Sequence, residues 1–215
     1  MQAVILAAGD SSRIYPFNES HKSAIKILGK SILEHTLLSV KKSGIDEVII
    51  IVQNDGVRKI IEEIDDLRLK IQYVVQDKAT GAGDALLLAE PYIKDDFFLL
   101  HAHRVDFLEF KKDLEKKKVE KEEVVLLAKK VKNLTDLEKL GVLKTDGDKV
   151  VEVAEKPLPG KAPSNLAIVG VYLLNRFFLN VLREIPSEHY SFEKAISRIG
   201  SGILLTLRSV HNASK

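Results

Sequence analysis

The sequence predicts a single α/β domain over residues 1–215, a mixed, mainly parallel sheet flanked by helices, and three observations carry that reading. Runs such as AVILAA (residues 3–8) and EVIIIV (47–52) are continuously apolar, the pattern of parallel strands covered on both faces. Each run is followed by a segment of helical periodicity, so strand and helix alternate through the first hundred residues. A chain of 215 residues that is 45% hydrophobic supports one sizeable core, and no internal repeat or low-complexity tract divides it.

Taken in order, the first strand is 3–8. Residues 31–44, SILEHTLLSVKKSG, form the first crossover helix, with Ile32, His35, Leu38 and Lys42 on one line and Leu33, Leu37 and Val40 beside it. Ser31 caps its start, Glu34 completes a capping box and Gly44 stops it. The strand 47–52 closes this β-α-β unit. A helix over 57–64, a strand KIQYVV at 70–75, a helix over 84–93 and a strand FFLL at 97–100 repeat the pattern. Ligands of such sheets sit beyond the carboxyl ends of the strands, so the informative loops follow Ala8, Val75 and Leu100. The second half changes character. Strands are expected at 124–131 and 164–174, with a hairpin in 140–157 turning at Asp146-Gly147-Asp148. Helices follow at 175–184 and 191–199. Pro157, Pro159, Gly160 and Pro163 mark a loop, since too few residues flank them to fold separately.

Composition excludes several classes. With no cysteine there is no disulfide framework, thiolate metal site or thiol nucleophile, which suits a reducing compartment. No apolar run approaches the roughly 18 residues of a membrane span, and the N-terminus lacks the basic region and cleavage site of a signal peptide. The expectation is a cytoplasmic protein without a membrane partner. Net charge is +2, and acids and bases alternate even in EFKKDLEKKKVEKEE (109–123), where Phe110 is the lone aromatic. That is a solvated helix face, not a surface for nucleic acid. The apolar stretch 196–207 suits either the chain's own core or a second copy in a homo-oligomer.

The opening loop, LAAGDSSRIYPF (6–17), carries the chemistry. Gly9 after a buried strand permits close backbone approach, and the amides around Asp10, Ser11 and Ser12 can bind phosphate oxygens. Arg13 offers a permanent charge with forked donors, and Lys22 a mobile point charge, a pairing suited to a triphosphate. An ordinary turn with surface cations is the plain alternative. Two other phosphate motifs fail on spacing: Ala24 stands where a P-loop ending in Gly29-Lys30-Ser31 needs glycine, and no glycine lies between Gly9 and Gly29 to make a dinucleotide fingerprint.

LAAGDSSRIYP, followed by Lys22 in HKSAIKILGKSILEHTL, resembles the signature of the sugar-1-phosphate nucleotidyltransferases. QDKATGAGDALLLAE (76–90) resembles their base-recognition loop, TDGDKVVEVAEKP (145–157) the segment ending in EKP, and SNLAIVGVYLL (164–174) the sugar-site strand that follows. The four motifs keep the family's order over nearly the whole chain. The resemblance implies a Rossmann-like nucleotide-diphospho-sugar transferase fold and an enzyme like the glucose-1-phosphate thymidylyltransferases or uridylyltransferases, with a nucleoside triphosphate and a sugar-1-phosphate as partners and Mg²⁺ as cofactor. It also implies roles. Ala8, Gly9, Asp10, Ser11 and Ser12 hold nucleotide phosphates; Arg13 stabilises the transferring phosphoryl group and departing pyrophosphate, assisted by Lys22. Gln76 and Gly81 contact the base, and the amide of Gln76 suits a pyrimidine edge. Glu155 and Lys156 address the sugar phosphate, Asn165 and Val169 line its pocket, and Gly141 leaves room for the sugar.

The chain departs from the family at four places. Ser11 and Ser12 replace the usual glycine and threonine. His21 and Ser23 flank Lys22. His103 stands where the family has a magnesium-binding aspartate, so Asp84 or Asp106 would have to substitute, while His101 and His103 on an extended strand would suit a transition metal given a third ligand. A later WxDxGT segment with a second metal aspartate is missing, since there is no tryptophan, so the sequence reads either as a complete core or as part of a longer protein. Arg13, Lys22, Gln76, Glu155 and Lys156 favour an enzyme. His103 and the missing segment favour a catalytically impaired relative that senses nucleotide sugars as a regulatory subunit.

Overall fold

From β1 (Gln2–Ala7) the chain passes through the short pair β2 (Lys26–Ile27) and β3 (Lys30–Ser31) into α1 (Ile32–Lys42). It then alternates β4 (Glu47–Val52), α2 (Asp55–Glu62), β5 (Lys70–Val75), α3 (Ala82–Ala89), β6 (Phe97–His101) and α4 (Phe107–Glu115). The second half runs through β7 (Val125–Lys130), a 3-10 segment Leu134–Lys139, β8 (Gly141–Asp146), β9 (Lys149–Glu155), β10 (Leu166–Leu174), α5 (Arg176–Arg183), α6 (Ser191–Ile199) and β11 (Gly202–Thr206). This computed structural model describes residues 1–9, 22–115, 123–147, 149–199 and 202–206, with Lys22 and 202–206 described in backbone alone.

The main sheet has the order β5-β4-β1-β6-β10-β7-β11-β9-β8. Its first four strands are mutually parallel, and β10 enters antiparallel between β6 and β7. The mixed, mainly parallel sheet flanked by helices is thus observed. Strand β1 shows why its sequence is continuously apolar: Val4 faces one hydrophobic layer, with Leu86, Phe178 and Phe192 from α3, α5 and α6, while Ala3, Ile5 and Ala7 face another, with Leu33, Leu37, Phe107 and Leu114 from α1 and α4. Covered on both faces, the strand has no use for a polar alternation.

Local signals behave mostly as expected. Ser31 accepts the Glu34 amide at 3.0 Å and starts α1, and Gly44 (φ 83°) follows its end. Glu34 does not close a capping box; its carboxylate ion-pairs with Lys30 instead. The hairpin expected to turn at Asp146-Gly147-Asp148 is met by the β8–β9 pair, in which Asp146 pairs with Lys149, while Asp148 lies outside the described residues. The helix expected over 84–93 begins two residues earlier, at Ala82. The run 196–207 divides: α6 ends at Ile199, and β11 pairs with β7 along Ile203–Thr206 and with β9 at Gly202 and Ile203. No helix among the described residues is long and apolar enough to cross a membrane.

The second half folds back on itself. β8 pairs with β9 on one side and with the first residues of β10 on the other, so β10, β7, β11, β9 and β8 form a closed circuit. β10 has two halves: Leu166 and Ala167 pair with β8, whereas Val171 to Leu174 pair with β6. The change of partner falls at a register shift between Ile168 and Tyr172 that contains Gly170 at φ 77°.

Candidate functional site

The carboxyl ends of the parallel strands meet the start of β10, and pairing shows how closely. Val171 pairs with Leu100, which sets Gly170 against His101; a Cβ on Gly170 would lie 2.5 Å from the imidazole Cδ2. Two residues back, Ile168 abuts Gly141, which pairs with Glu155. The chain of contacts His101, Gly170, Ile168, Gly141, Glu155 therefore carries the end of β9 to just above the end of β6. Residues 141, 155 and 156, expected to share a sugar-phosphate site, are brought together by pairing within the β8–β9 hairpin.

Gly141 leaves no room to spare. An added Cβ would stand 2.7 Å from Glu155 Oε2 and 3.1 Å from Ile168 Cδ1. Lys156 follows in the left-handed region (φ 46°), its amide donating to the Leu140 carbonyl at 3.0 Å. Its ammonium lies 3.6 Å from Glu155 Oε1 and 5.6 Å from the centre of the Tyr190 ring. Burial pushes the Glu155 carboxyl up, and Lys156 partly opposes this. Asn165 is exposed and uses its carbonyl to accept the Val131 amide at 2.9 Å, three residues before Ile168. Val169 packs on the α1–α4 layer.

On the opposite wall, the Gln76 amide donates to the Val52 carbonyl at 2.8 Å, which fixes the loop after β5 to the end of β4. Its side chain is 5% exposed, and its Nε2 donates to the Gly81 carbonyl at 3.1 Å and to Thr80 Oγ1 at 3.3 Å. Gln76 thus braces the loop that starts α3. A Cβ on Gly81 would meet the His189 carbonyl oxygen at 2.5 Å, so the segment before α6 presses directly on this loop. Ala8 is buried and Gly9 exposed at the end of β1. Asp10, Ser11, Ser12, Arg13 and His21 lie outside the described residues, as does the side chain of Lys22.

Two groups that sequence reasoning missed, Tyr172 and Glu193, lie within electrostatic reach of Glu155. Tyr172 is 5% exposed, and its ring meets Phe192 edge-on at 5.0 Å. Burial drives its hydroxyl far above the ordinary tyrosine range; the charges of Glu193 and Glu155 add to this, while Arg104 opposes it. Glu193, on the first turn of α6, is pushed up to about 7, first by burial and then by Glu155, against its own backbone amide and Lys156. Its Oε2 is buried without a hydrogen-bond partner. α6 is held over β9 by Ser197, whose hydroxyl donates to the Glu193 carbonyl and accepts the Val153 amide, both at 3.0 Å. The sequence offered only a weak signal for Glu193, a lone acid bordering the apolar stripe Phe192, Ala195, Ile196 and Ile199.

The loop after β6 decides whether Mg²⁺ fits. The rings of His101 and His103 stack at 5.5 Å, with His103 in a turn past the strand end rather than on an extended strand. Next to His103 stands Arg104, and Asp106 Oδ2 lies 3.7 Å from its Nη1. Asp84 accepts the Ser187 hydroxyl at 2.6 Å. Among the described residues no group of three or more histidine, aspartate or glutamate side chains could hold a metal ion. An imidazole, a guanidinium and a carboxylate turned onto that guanidinium form a poor donor set for a hard divalent cation, which needs anionic oxygen. The residues present in this loop do not fit the ion.

The nucleotidyl transferase family model matches residues 2–209. A bifunctional protein GlmU of Methanococcus maripaludis is 34% identical over 196 residues, covering 90% of this chain and 45% of its own. The UTP–glucose-1-phosphate uridylyltransferase AglF of Haloferax volcanii is 29% identical over 216 residues, covering 97% of this chain and 84% of its own. The chain spans about half the length of the GlmU relatives it matches. Among solved structures, a UDP-glucose pyrophosphorylase complexed with UDP-glucose superposes with a TM-score of 0.75 at 20% identity, over 96% of this chain and 90% of that one. UDP-glucose pyrophosphorylase from Acinetobacter baumanii gives 0.76 at 17%, over 96% and 86%. At these identities the structural likeness is one of fold.

Proposed function

The chain belongs to the nucleotidyl transferase family, and from that premise we propose that it joins a sugar-1-phosphate to a nucleoside triphosphate, giving a nucleotide sugar and pyrophosphate. The convergence of Gly141, Glu155 and Lys156 above the end of β6 carries the reading. A carboxylate and an ammonium held side by side suit a sugar phosphate: Glu155 accepts from a hydroxyl, and Lys156 neutralises the phosphate. Lys156 is held between Glu155 and the Tyr190 face, so its charge is positioned before substrate arrives. The nucleotide would lie between the end of β1 and the Gln76 loop, with Arg13 and Lys22 on its phosphates. A pyrimidine base and a cytoplasmic setting belong to this reading.

The reaction is in-line attack of a sugar-1-phosphate oxygen on the α-phosphorus, with pyrophosphate leaving. It needs no covalent protein intermediate; the side chains position two anions and offset their repulsion. Mg²⁺, implied by the resemblance, would have to find oxygen ligands outside the loop after β6. The test is pyrophosphate release from each of dTTP, UTP, CTP, GTP and ATP with a panel of sugar-1-phosphates, in Mg²⁺ or Mn²⁺. Release with one base and sugar supports the proposal. No release in any combination, together with ligand-dependent thermal stabilisation, would overturn it in favour of a sensing subunit.

A further inference from the structure

The disagreement between this chain and a magnesium site leads to Arg104. We propose that Arg104 is a phosphate-binding residue, supplying from the loop after β6 a fixed positive charge to the polyphosphate; this rests on the function proposed above. Position is the first argument. The Ala102 amide donates to the Leu6 carbonyl at 3.1 Å, tying this loop to the end of β1, where the phosphate loop departs. The Arg104 amide donates to the His101 carbonyl at 3.0 Å and the Phe107 amide to the Arg104 carbonyl at 3.2 Å, so Arg104 sits in a turn with a fixed backbone.

Incomplete pairing is the second argument. Arg104 Nε is buried without a hydrogen-bond partner, and Asp106 Oδ1 is likewise buried and unpartnered. The two side chains approach at 3.7 Å, an ion-pair distance too long for a hydrogen bond. A guanidinium has five forked donors, and leaving such a donor unsatisfied away from water is costly. A planar fork in this state is matched by a second anion with several oxygens, and phosphate has that geometry. The side chain is 20% exposed, so the guanidinium is shielded from solvent yet reachable.

Proximity is the third argument. Arg104 lies within electrostatic reach of the buried Tyr172 hydroxyl, which Glu193 and Glu155 also reach with opposite sign.

The experiment uses inorganic pyrophosphate in excess EDTA, with the full chain. Calorimetry should show wild type binding pyrophosphate and Arg104→Gln binding it at least tenfold more weakly, with Arg104→Lys in between. If Arg104→Gln does not fold, the arginine Nε–H resonance of the wild type, identified by its loss in Arg104→Lys, decides the matter. It should move on addition of pyrophosphate. Unchanged affinity in Arg104→Gln, or an unmoved resonance, overturns the proposal. If wild type also turns over substrates, only Arg104's role is then lost. If pyrophosphate shifts the Arg104 signal but no substrate pair reacts, the anion site stands and the transferase reading falls.

Discussion

Gly141 and Glu155 face each other across the β8–β9 pair with so little clearance that a methyl group on Gly141 would stand 2.7 Å from the Glu155 carboxylate. The absence of a side chain at 141 sets where the carboxylate lies. Gly141→Ala should therefore displace Glu155 while leaving the fold intact, because a flexible side chain can yield. We expect kcat/KM for the sugar-1-phosphate to fall by about tenfold to a hundredfold, the scale of an ångström misplacement, with the nucleotide KM nearly unchanged. Steady-state kinetics with each substrate varied in turn will check this.

Lys156→Ala removes the positioned ammonium and leaves Glu155 with a lone buried charge. Transition-state charge stabilisers of this kind are worth about 10²–10³ in rate. Turnover should fall on that scale. Lys156→Arg should recover little of it, because the broader fork does not reproduce a point charge beside the Tyr190 ring.

Glu193 makes stability depend on pH. Its carboxyl is raised from the ordinary 4.5 to about 7, so the folded chain holds the proton more tightly than the unfolded chain. The sign follows directly: this contribution is fully present below about pH 4.5 and is lost as pH rises through about 7. Compared with Glu193→Gln, wild type should be less stable at pH 8, by about 3 kcal/mol at most. The two should converge near pH 4.5. Urea denaturation at the two pH values measures the difference.

Phe192 joins the core to the site. It is 2% exposed and meets Tyr172 and Phe178 edge-on, with centroids at 5.0 and 5.2 Å. Phe192→Ala should cost about 3–5 kcal/mol and lower Tm by roughly 2–4 °C per kcal/mol. Since Glu193 is the next residue, the variant should also weaken sugar-1-phosphate binding, which a structural loss elsewhere in the core would not do.

His103→Asp replaces an imidazole by a carboxylate in the loop after β6. In an effective dielectric near 20, a unit charge pair at 4 Å is worth about 4 kcal/mol, partly offset by the neighbouring Arg104. The Mg²⁺ concentration giving half-maximal pyrophosphate release should fall severalfold, read from a metal titration of both proteins.

By itself the sequence determined the alternation of covered strands and crossover helices, because burial on both faces leaves a continuously apolar run, as in β1 and β4. Local caps were legible for the same reason of short range: Ser31 needs only the amide of Glu34. The motif containing Glu155 and Lys156 was also legible, as were Gly141 and the hairpin in 140–157 that pairs it with Glu155. Only the tertiary structure decided that Gly170 lets β10 change partners from β8 to β6, that this fold-back places Glu155 above His101, and that Glu193, Tyr172 and Arg104 share one electrostatic environment. Those relationships depend on contacts between residues far apart in the chain, and on water being excluded from between them. Neither leaves a periodic trace in the sequence, since a buried acid and an exposed one are written with the same letter.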